Sequence, residues 1–596
     1  MELEESLIKK LAAYIGQYKK YVLVVPFVVL LDVLCELSMP LLMSKIVDIG
    51  IPGKDIRYIS NIGLIMVGLA LVAIAGGIAN MWFTSRGSMG FGANLRDALF
   101  EKLQSFSFKN IDQFSTASLV TRLTNDVNNL QQTFMMSLRI LMRAPMMLIV
   151  SFILAYSINS ELSIVLAIAI PVLIAFVAII MRFAVGRFGV MQEKIDAINR
   201  VIQENLIGIR VVKSFVRSDF EIKKFQKAND DFTNSAIRAI TIAILTMPVM
   251  MFVLNGATLA VIWLGGGMVM QGTLGTGQLI SFTSYIMQIM MSVMMISMVM
   301  IMGARAEASA KRVIEVLDTE VDIAEKPQFP NLLPDKPSVD SSPRITAGKV
   351  EFRDVSFKYN LNDTEGDILC HIDFTANPGE VVGIVGSTGS GKSTLISLIP
   401  RLYDVTEGKV LIDGVDVRDY ELESLREGIG VVLQKNILFS GSIKENLLWG
   451  NKNATDAEIE AACKDAQIHD FIASLPKGYD TELGQGGVNV SGGQKQRLCI
   501  ARAMIKKPKI LILDDSTSAV DSANEAKIRE AFNKSLVDTT VFIIAQRISS
   551  VRNADKIIVL DEGKVVGMGT HKELLQQNDI YQEILASQRE GVMSNA

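Results

Sequence analysis

The segment "GSTGSGKS" has the residue types and spacing of a phosphate-binding loop. Its glycines let backbone N–H groups converge on phosphate oxygens, Lys392 can reach the β- and γ-phosphates, and the Ser393 hydroxyl can bind Mg²⁺. An apolar run from Val381 to Val385 precedes it and a helical run follows, the strand–loop–helix context that such a loop requires. The predicted phosphate contacts are Gly386, Ser387, Thr388, Gly389, Ser390, Gly391, Lys392, Ser393 and Thr394.

Two adjacent carboxylates end the apolar run "KILILDD". An apolar strand that ends in an acid fits the second Mg²⁺-binding element of nucleotide-hydrolysing folds, so Asp514 is predicted to hold the ion directly or through water. The next position should orient or activate the attacking water. Asp515 occupies it and is therefore a candidate catalytic residue.

The segment "SGGQ" begins a further helical run at Ser491. Ser491 and Gln494 have the spacing of a capping box, in which the serine is the N-cap and the glutamine side chain reaches back. A capped helix start rich in glycine is also a phosphate site, so both interpretations can hold together. The candidate contacts are Ser491, Gly492, Gly493 and Gln494.

These motifs lie in the second half of a chain whose two halves differ in composition. Of 596 residues, 49% are hydrophobic and 20% are charged, and long apolar tracts fill the first half. From about residue 349 the chain alternates strand-like runs, glycine turns and helical stretches, as a soluble α/β domain does. The net charge of −4 gives no basis for a nucleic-acid partner, and the four scattered cysteines predict neither disulfides nor a metal site.

Six apolar segments are long enough to cross a membrane, each at about 20 residues or more. They cover about 21–47, 59–83, 138–158, 162–185, 241–266 and 279–302. Basic residues cluster before the first segment and after the second and fourth, whereas the opposite side has only Lys54 and Arg57. Both termini are therefore predicted to be cytoplasmic. The two cytoplasmic connections of roughly fifty residues have helical composition and little glycine or proline, so we expect the spans to continue as long helices.

Ionisable residues inside the spans are candidate functional residues. Asp32 and Glu36 share a helix face in the first span, and Arg139 and Arg143 do so near the third. Either they act in transport, or they pair within the bundle or lie near the membrane interface. Methionines also recur at helical spacing in the sixth span, which fits ordinary helix packing or an adaptable substrate surface. They are Met287, Met291, Met294, Met298 and Met302.

The phosphate loop, "SGGQ", "LILDD" and six preceding spans together resemble an ATP-binding-cassette (ABC) exporter half-transporter over essentially the whole chain. The fold class expected is an α-helical membrane bundle followed by an α/β P-loop domain. The expected divisions are an amphipathic elbow helix at 1–20, a transmembrane domain at 21–325, a linker at 326–348 and a nucleotide-binding domain at 349–590. No peptidase-like domain precedes the spans, so a leader-processing peptide exporter is not expected.

The resemblance implies roles for further residues. Tyr359, which ends "VSFKY", matches the aromatic residue that stacks on adenine, and Gln434 matches the glutamine that meets Mg²⁺ and senses the membrane domain. Asp521 matches the loop that joins two nucleotide domains. Residues 114–127 and 215–225 resemble the first and second cytoplasmic coupling regions. The family places each ATP between the phosphate loop of one subunit and the "SGGQ" of the other, which implies a dimer.

Two positions depart from the family pattern in the same direction. The family usually has Glu where this chain has Asp515, and His where it has Gln546. Asp is one methylene shorter than Glu, and a misplacement of about 1 Å can cost on the order of 100-fold in rate. Gln546 can bind a γ-phosphate but can neither carry imidazole's charge nor exchange its proton. Gln485, just before the signature, also departs from the usual acidic pattern.

These departures predict the degenerate-site half of a heterodimer whose partner half-transporter supplies the Glu and His. With ATP and Mg²⁺, it would export hydrophobic or amphipathic compounds across a bacterial plasma membrane by alternating access, and its own site would hydrolyse weakly. The alternatives left open are a homodimeric exporter, a lipid flippase and an ATP-gated regulator or channel.

Overall fold

The computed structural model describes residues 2–323, 343–359, 366–515 and 522–593. Most of the predicted linker, and Asp521, therefore lie outside the described residues. The chain divides into two compact units. The first contains residues 1–104 and 115–319, and the second contains residues 105–114 and 320–596.

The first unit is helical. Its helices are α1 (Glu2–Ala13), α2 (Lys19–Lys45), α3 (Ile56–Ser105), α5 (Thr116–Thr121), α6 (Val127–Met136), α7 (Met142–Ile158), α8 (Ser160–Ile207), α9 (Ile209–Ser214), α10 (Ser218–Ile244), α11 (Thr246–Met270) and α12 (Thr276–Asp318), while α4 (Phe108–Gln113) belongs to the second unit. A π-helical turn extends α2 at 46–50, and two others, at 122–126 and 137–141, join α5 to α6 and α6 to α7.

Among the described residues, six helical segments of this unit are long and apolar enough to cross a membrane, which confirms the predicted spans. The predicted extensions are also present, because α3 has 50 residues and α8 has 48. At 1.5 Å per residue, α3 is about 75 Å long, more than twice the hydrocarbon thickness of about 30 Å. Such helices continue well beyond the bilayer as regular structure.

The first and last spans run antiparallel and are joined by polar contacts. The Asp48 carboxylate accepts from the backbone N–H of Gly277 at 2.6 Å and of Gln278 at 2.9 Å, which satisfies the free donors at the start of α12. Further along, the Tyr285 hydroxyl donates to the carbonyl oxygen of Leu37 at 2.8 Å. The buried core of the unit comes from α2, α7, α8, α11 and α12.

The second unit is an α/β domain. Its strands are β1 (Val350–Phe357), β2 (Leu369–Ala376), β3 (Val381–Gly386), β4 (Glu407–Ile412), β5 (Val415–Asp416), β6 (Ile429–Val432), β7 (Gly441–Ser442), β8 (Glu482–Leu483), β9 (Ile510–Asp514), β10 (Thr540–Ile544), β11 (Lys556–Asp561) and β12 (Lys564–Gly569). Its remaining helices are α13 (Lys392–Ser397), α14 (Leu422–Glu427), α15 (Ile443–Leu448), α16 (Asp456–Asp465), α17 (His469–Ser474), α18 (Gly492–Ile505), α19 (Ser522–Ser535), α20 (His571–Gln577) and α21 (Asp579–Met593).

A six-stranded sheet positions the predicted site. Its order is β12-β11-β3-β10-β9-β6, and every pair is parallel except β11 with β12. The buried runs of β3, β9 and β10 are almost wholly apolar, as expected for strands covered on both faces. Because these strands are parallel, the residues that follow β3, β6, β9 and β10 meet at one edge of the sheet. An antiparallel sheet, β2-β1-β4-β5, forms a second layer.

Candidate nucleotide-binding site

The phosphate loop connects β3 to α13. Gly389 and Gly391 adopt φ angles of 87° and 91°, in the left-handed region that favours glycine. At Gly386 an added Cβ would lie 2.0 Å from the carbonyl oxygen of Leu560 on β11, so only glycine fits between the two strands there. The close approach of the β11 backbone therefore requires glycine at the start of the loop. Ser387 and Thr388 lie exposed on it, whereas Ser390 and Thr394 are buried.

The ammonium of Lys392 lies against the same loop. Its Nζ donates to the carbonyl oxygens of Gly386 at 3.0 Å and Ser387 at 2.6 Å. Burial lowers the pKa of Lys392, while the negative charges of Asp514 and Asp515 act in the opposite direction. A partly buried ammonium on a glycine-rich loop at the start of a helix is suited to binding phosphate oxygens.

The predicted metal ligands Ser393 and Asp514 are neighbours. The Ser393 hydroxyl donates to the Asp514 carboxylate at 3.1 Å. A hydroxyl and a carboxylate oxygen suit Mg²⁺, which takes a few protein oxygens and completes its shell with phosphate and water. The donor set therefore fits the ion, which when bound would neutralise charge on the phosphates. Within the described residues no group of three His, Cys, Asp or Glu side chains could hold a metal by itself.

Strand pairing brings the other candidates to the same edge. Val432 of β6 is level with Leu513 of β9, so Gln434 follows β6 at the same edge of the sheet as the end of β9. Ile544 of β10 is level with Asp514, so Gln546 leaves the next strand at that level too. Three residues distant in sequence thus follow adjacent parallel strands at the same edge of the sheet.

Asp515 and Gln546 are in direct contact. The Gln546 side-chain Nε2 donates to Asp515 Oδ2 at 2.6 Å. The backbone of Asp515 has a φ of 46°, a conformation that Asp tolerates better than most residues, and its N–H donates to the carbonyl oxygen of Ile544 at 3.1 Å. The carboxylate at the predicted catalytic position is therefore oriented toward a neutral amide.

Burial raises the pKa values of both carboxylates at the end of β9. For Asp514 the negative charge of Asp515 adds to this effect, and the Ser393 hydrogen bond opposes it. For Asp515 the positive charge of Lys392 and the contacts with Gln546 oppose the effect of burial. The charge of Asp515 therefore disfavours ionisation of Asp514, an effect that a cation bound at Asp514 would oppose.

The predicted adenine contact, Tyr359, is half exposed at the end of β1. Its hydroxyl lies 3.0 Å from the hydroxyl of Thr394, which connects it to the start of α13. Its ring centroid lies 5.0 Å from that of Tyr403, in an edge-on arrangement. Tyr403 in turn donates to the Asp112 carboxylate of α4 at 2.6 Å, and its ring contacts Phe108.

The sequence analysis did not predict Tyr403 as a site residue. The predicted position of the first coupling region, 114–127, is also wrong. The segment that packs with the nucleotide-binding unit is 105–114, whereas most of 114–127 belongs to the helical unit. Both stretches have helical composition, and only the contacts of Phe108 and Asp112 separate them. The second predicted region contains a turn in which Phe215 and Val216 are 73% and 86% exposed.

The "SGGQ" segment forms the predicted capping box. Ser491 is the N-cap of α18: its hydroxyl accepts from the Gln494 N–H at 3.3 Å, and Gln494 Oε1 accepts from the Ser491 N–H at 2.7 Å. Ser491 and Gly492 are exposed. Within the described chain, no hydrogen bond joins this helix start to the phosphate loop. Just over one turn into α18, Gln496 is buried and its side chain donates to the carbonyl oxygen of Asp515 at 3.4 Å.

Comparison with known proteins agrees with this architecture. A family model described as the ABC transporter transmembrane region matches residues 22–293, and one described as ABC transporter matches residues 369–518. The chain is 40% identical over 585 residues to the ABC transporter ATP-binding protein YfiB of Bacillus subtilis (strain 168), covering 98% of this chain and 99% of that protein. It is 35% identical over 500 residues to the ATP-dependent lipid A-core flippase of Syntrophus aciditrophicus (strain SB), covering 83% of this chain and 79% of that protein.

A solved structure, that of a bacterial Atm1-family ABC exporter with ATP bound, matches with a TM-score of 0.76 at 26% identity, covering 96% of this chain and 99% of the other. Six spans and a P-loop domain in one chain define a membrane ATPase whose hydrolysis is coupled to transport. The chain belongs to the ABC transporter family and has the fold of an ABC exporter. The predicted fold class is thus confirmed.

Proposed function

We propose that this chain is the weakly hydrolysing half of a heterodimeric exporter. The observation that carries the proposal is the contact between Gln546 Nε2 and Asp515 Oδ2. A general base must hold its carboxylate oxygen toward the attacking water, within hydrogen-bonding reach. Here that carboxylate is one methylene short and already accepts a hydrogen bond from an amide, so it is a poor activator of water.

The nucleotide-binding residues support a second part of the proposal, which is that this site still binds ATP. Lys392, Ser393 and Asp514 keep the types and positions that nucleotide binding needs, and we assign Mg²⁺ to Ser393, Gln434 and Asp514. Tyr359 would stack on adenine. A site that binds ATP without turning it over can still hold two nucleotide domains together and bias a conformational equilibrium.

The partner half-transporter would supply Glu and His for its own ATP. The exposed "SGGQ" of this chain would complete that competent site, and the partner's equivalent segment would complete this one. Asp521, outside the described residues, is assigned to the loop between the two domains. We keep the proposed divisions at 1–20, 21–325, 326–348 and 349–590, with both termini and the nucleotide domain on the cytoplasmic side of the plasma membrane.

The test is ATP turnover by the full-length chain alone and together with its partner, each reconstituted in lipid. We expect little turnover from the lone chain and vigorous turnover from the pair, with Asp515→Asn leaving the pair's rate nearly unchanged. The corresponding carboxylate-to-amide substitution of the partner's catalytic Glu should abolish turnover. Vigorous hydrolysis by the lone chain that is lost in Asp515→Asn would instead establish a homodimer with two working sites.

We propose hydrophobic or amphipathic compounds as the cargo, taken from the cytoplasmic side and released outside. The alternative of a lipid cargo has a specific basis, since one relative is named as a lipid A-core flippase. Two proteoliposome preparations distinguish the two kinds of cargo. One contains labelled phospholipid and the other contains a lipophilic dye. An ATP-gated channel or regulator would instead pass neither against a gradient.

A further inference from the structure

The loop that carries Gln546 is held by a side chain of α21, the last helix of the described chain. Gln588 Nε2 donates to the carbonyl oxygen of Gln546 at 2.7 Å, and Gln588 Oε1 accepts from the backbone N–H of Ile548 at 3.0 Å. One side-chain amide thus pairs with two backbone groups two residues apart, in the pattern by which a parallel strand pairs with its neighbour.

This loop needs such a partner because it leaves the sheet. β10 ends at Ile544, Gln546 is exposed, and Ile548 is 1% exposed and begins a short 3₁₀ turn. The first N–H of a helical turn has no partner within the turn, and buried backbone donors are almost always paired. The Gln588 side chain therefore supplies an acceptor that neither the strand nor the turn provides.

α21 is fixed to the domain at its other end. Tyr581 is fully buried, and its hydroxyl lies 2.7 Å from His571 Nδ1. Asn578, just before the helix, donates to the carbonyl oxygen of Val566 on β12 at 2.9 Å, and its Oδ1 accepts from the Tyr581 N–H at 2.8 Å. A helix fixed in this way can hold a loop at a set position.

The place of Gln588 on α21 makes its polarity informative. Tyr581, Ile584, Leu585 and Gln588 follow the i, i+3, i+4, i+7 spacing of one helix face. The first three pack on the hydrophobic core of the domain. The fourth is a polar side chain on the same face, and it makes two directional hydrogen bonds instead of adding to that core.

The contacts of Gln588 continue to the nucleotide site through Gln546. The backbone carbonyl of Gln546 accepts from Gln588, and its side chain donates to Asp515 Oδ2 at 2.6 Å. A shift of about 1 Å in the position of a reacting group can cost on the order of 100-fold in rate, so small movements of this loop backbone matter.

We infer that Gln588 is a positioning residue for the nucleotide site, since it fixes the backbone of Gln546 so that the Gln546 amide can bind the γ-phosphate of ATP. The inference rests on the proposed binding of ATP at this site. It extends that proposal by making the last helix of the described chain a determinant of the affinity for a nucleoside triphosphate over a diphosphate.

The first test compares two nucleotides with Mg²⁺, the non-hydrolysable triphosphate AMP-PNP and ADP, on the full-length chain in lipid nanodiscs. Gln588→Met keeps the side-chain length and helix propensity but removes both hydrogen bonds. We expect it to weaken AMP-PNP binding by about three- to tenfold and ADP binding by less than about twofold, because ADP lacks the γ-phosphate. Retained ADP binding also shows that the variant is folded.

A double-mutant cycle shows whether Gln588 acts through Gln546. Gln546→Ala should weaken AMP-PNP binding at least as much as Gln588→Met, and the two changes together should equal Gln546→Ala alone. The matched control is Gln582→Met on the same helix, which removes a hydrogen bond from Gln582 Nε2 to the carbonyl oxygen of Leu575 at 2.9 Å. It should change neither affinity.

Hydrogen exchange measures the loop backbone without nucleotide. The Ile548 amide should exchange about threefold faster or more in Gln588→Met, and at the wild-type rate in Gln582→Met. Unchanged exchange in Gln588→Met, additive effects in the cycle, equal weakening of the two nucleotides, or unchanged AMP-PNP affinity in Gln546→Ala would each overturn the inference. The heterodimer proposal fails separately, because vigorous turnover by the lone chain would leave these differences in binding and exchange intact.

Discussion

At the scale of single residues, the two acids that end β9 have different partners and therefore different chemistry. Asp514 accepts from Ser393 at the start of α13, and Asp515 accepts from Gln546 in the loop after β10. The first arrangement leaves a pair of oxygens suited to Mg²⁺. The second occupies the carboxylate that would activate water, and this difference carries the proposal of a weakly hydrolysing site.

The double substitution Asp515→Glu with Gln546→His tests directly whether these two residues make the site hydrolyse weakly. Glu would extend the carboxylate toward the water, and His would restore a group that can carry a proton. We expect ATP turnover at this site to rise on the order of 100-fold, the effect associated with a shift of about 1 Å in a reacting group. Turnover would be measured in the complex whose partner site is inactivated.

The control for this experiment is the same double variant with Lys392→Ala, which should return to background because phosphate binding is lost. An unchanged rate in the double variant, with ATP binding intact, would show that other features limit hydrolysis here.

The raised pKa values of Asp514 and Asp515 predict a pH dependence of nucleotide binding. Mg²⁺ requires the ionised form of Asp514, and a raised pKa means that protons compete at a higher pH than the usual value of 3.8. Binding of Mg²⁺–ATP should therefore weaken as pH falls through that raised pKa. Since the charge of Asp515 contributes to the shift, Asp515→Asn should move the transition to lower pH.

Fluorescence titration with an ATP analogue between pH 7 and pH 4 measures this transition. ATP without Mg²⁺ is the reference, because its binding does not use Asp514. If the transition in Asp515→Asn occurs at the wild-type pH or at a higher pH, the charge of Asp515 does not raise the pKa of Asp514.

At the scale of elements, helix caps serve two purposes in the nucleotide-binding unit. Both α16 and α18 begin with complete capping boxes, built on Thr455 with Glu458 and on Ser491 with Gln494. Each satisfies backbone donors that the helix itself leaves unpaired. Only the second has the "SGGQ" segment, whose exposed Ser491 and Gly492 leave the helix start open to a phosphate.

Thr455→Ala and Ser491→Ala are therefore a matched pair. Loss of an N-cap costs about 1 kcal/mol, which for a domain of this size lowers the unfolding temperature by about 2–4 °C. We expect both variants to show that shift in calorimetry of the full-length chain. Thr455→Ala should keep the turnover of the heterodimer, whereas Ser491→Ala should reduce it, because the partner's ATP loses a contact. Equal turnover in the two would argue against a role for Ser491 at the partner's site.

At the scale of the whole molecule, the distribution of basic residues predicts the membrane orientation. The turn between α11 and α12 should lie outside the cell, and the turn before α10 inside. In intact cells an impermeant thiol reagent should label Gln271→Cys and not Asp219→Cys. Of the four native cysteines three are buried and Cys370 lies in the nucleotide-binding unit, so the background should be low until the membrane is permeabilised. Labelling of Asp219→Cys from outside would reverse the topology.

Much of this molecule can be read from local sequence. The six spans and the long helical extensions follow from apolar length and helical composition, and the phosphate loop follows from glycine spacing between a strand and a helix. The capping box at Ser491 is likewise contained within four residues. Each of these depends on contacts between near neighbours in the chain, so the residue pattern alone determines it.

The remaining features depend on contacts between distant segments, which only the tertiary structure decided. Pairing of β9 with β10 brings Gln546 to Asp515, and packing of α7 on α2 directs Arg143 to Asp32 and Glu36 instead of leaving it at the membrane interface. Packing also selects 105–114 over 114–127 as the segment that joins the nucleotide-binding unit, through Tyr403. Sequence patterns of similar composition cannot rank such alternatives, because the free energy that separates them arises from burial and pairing across the fold.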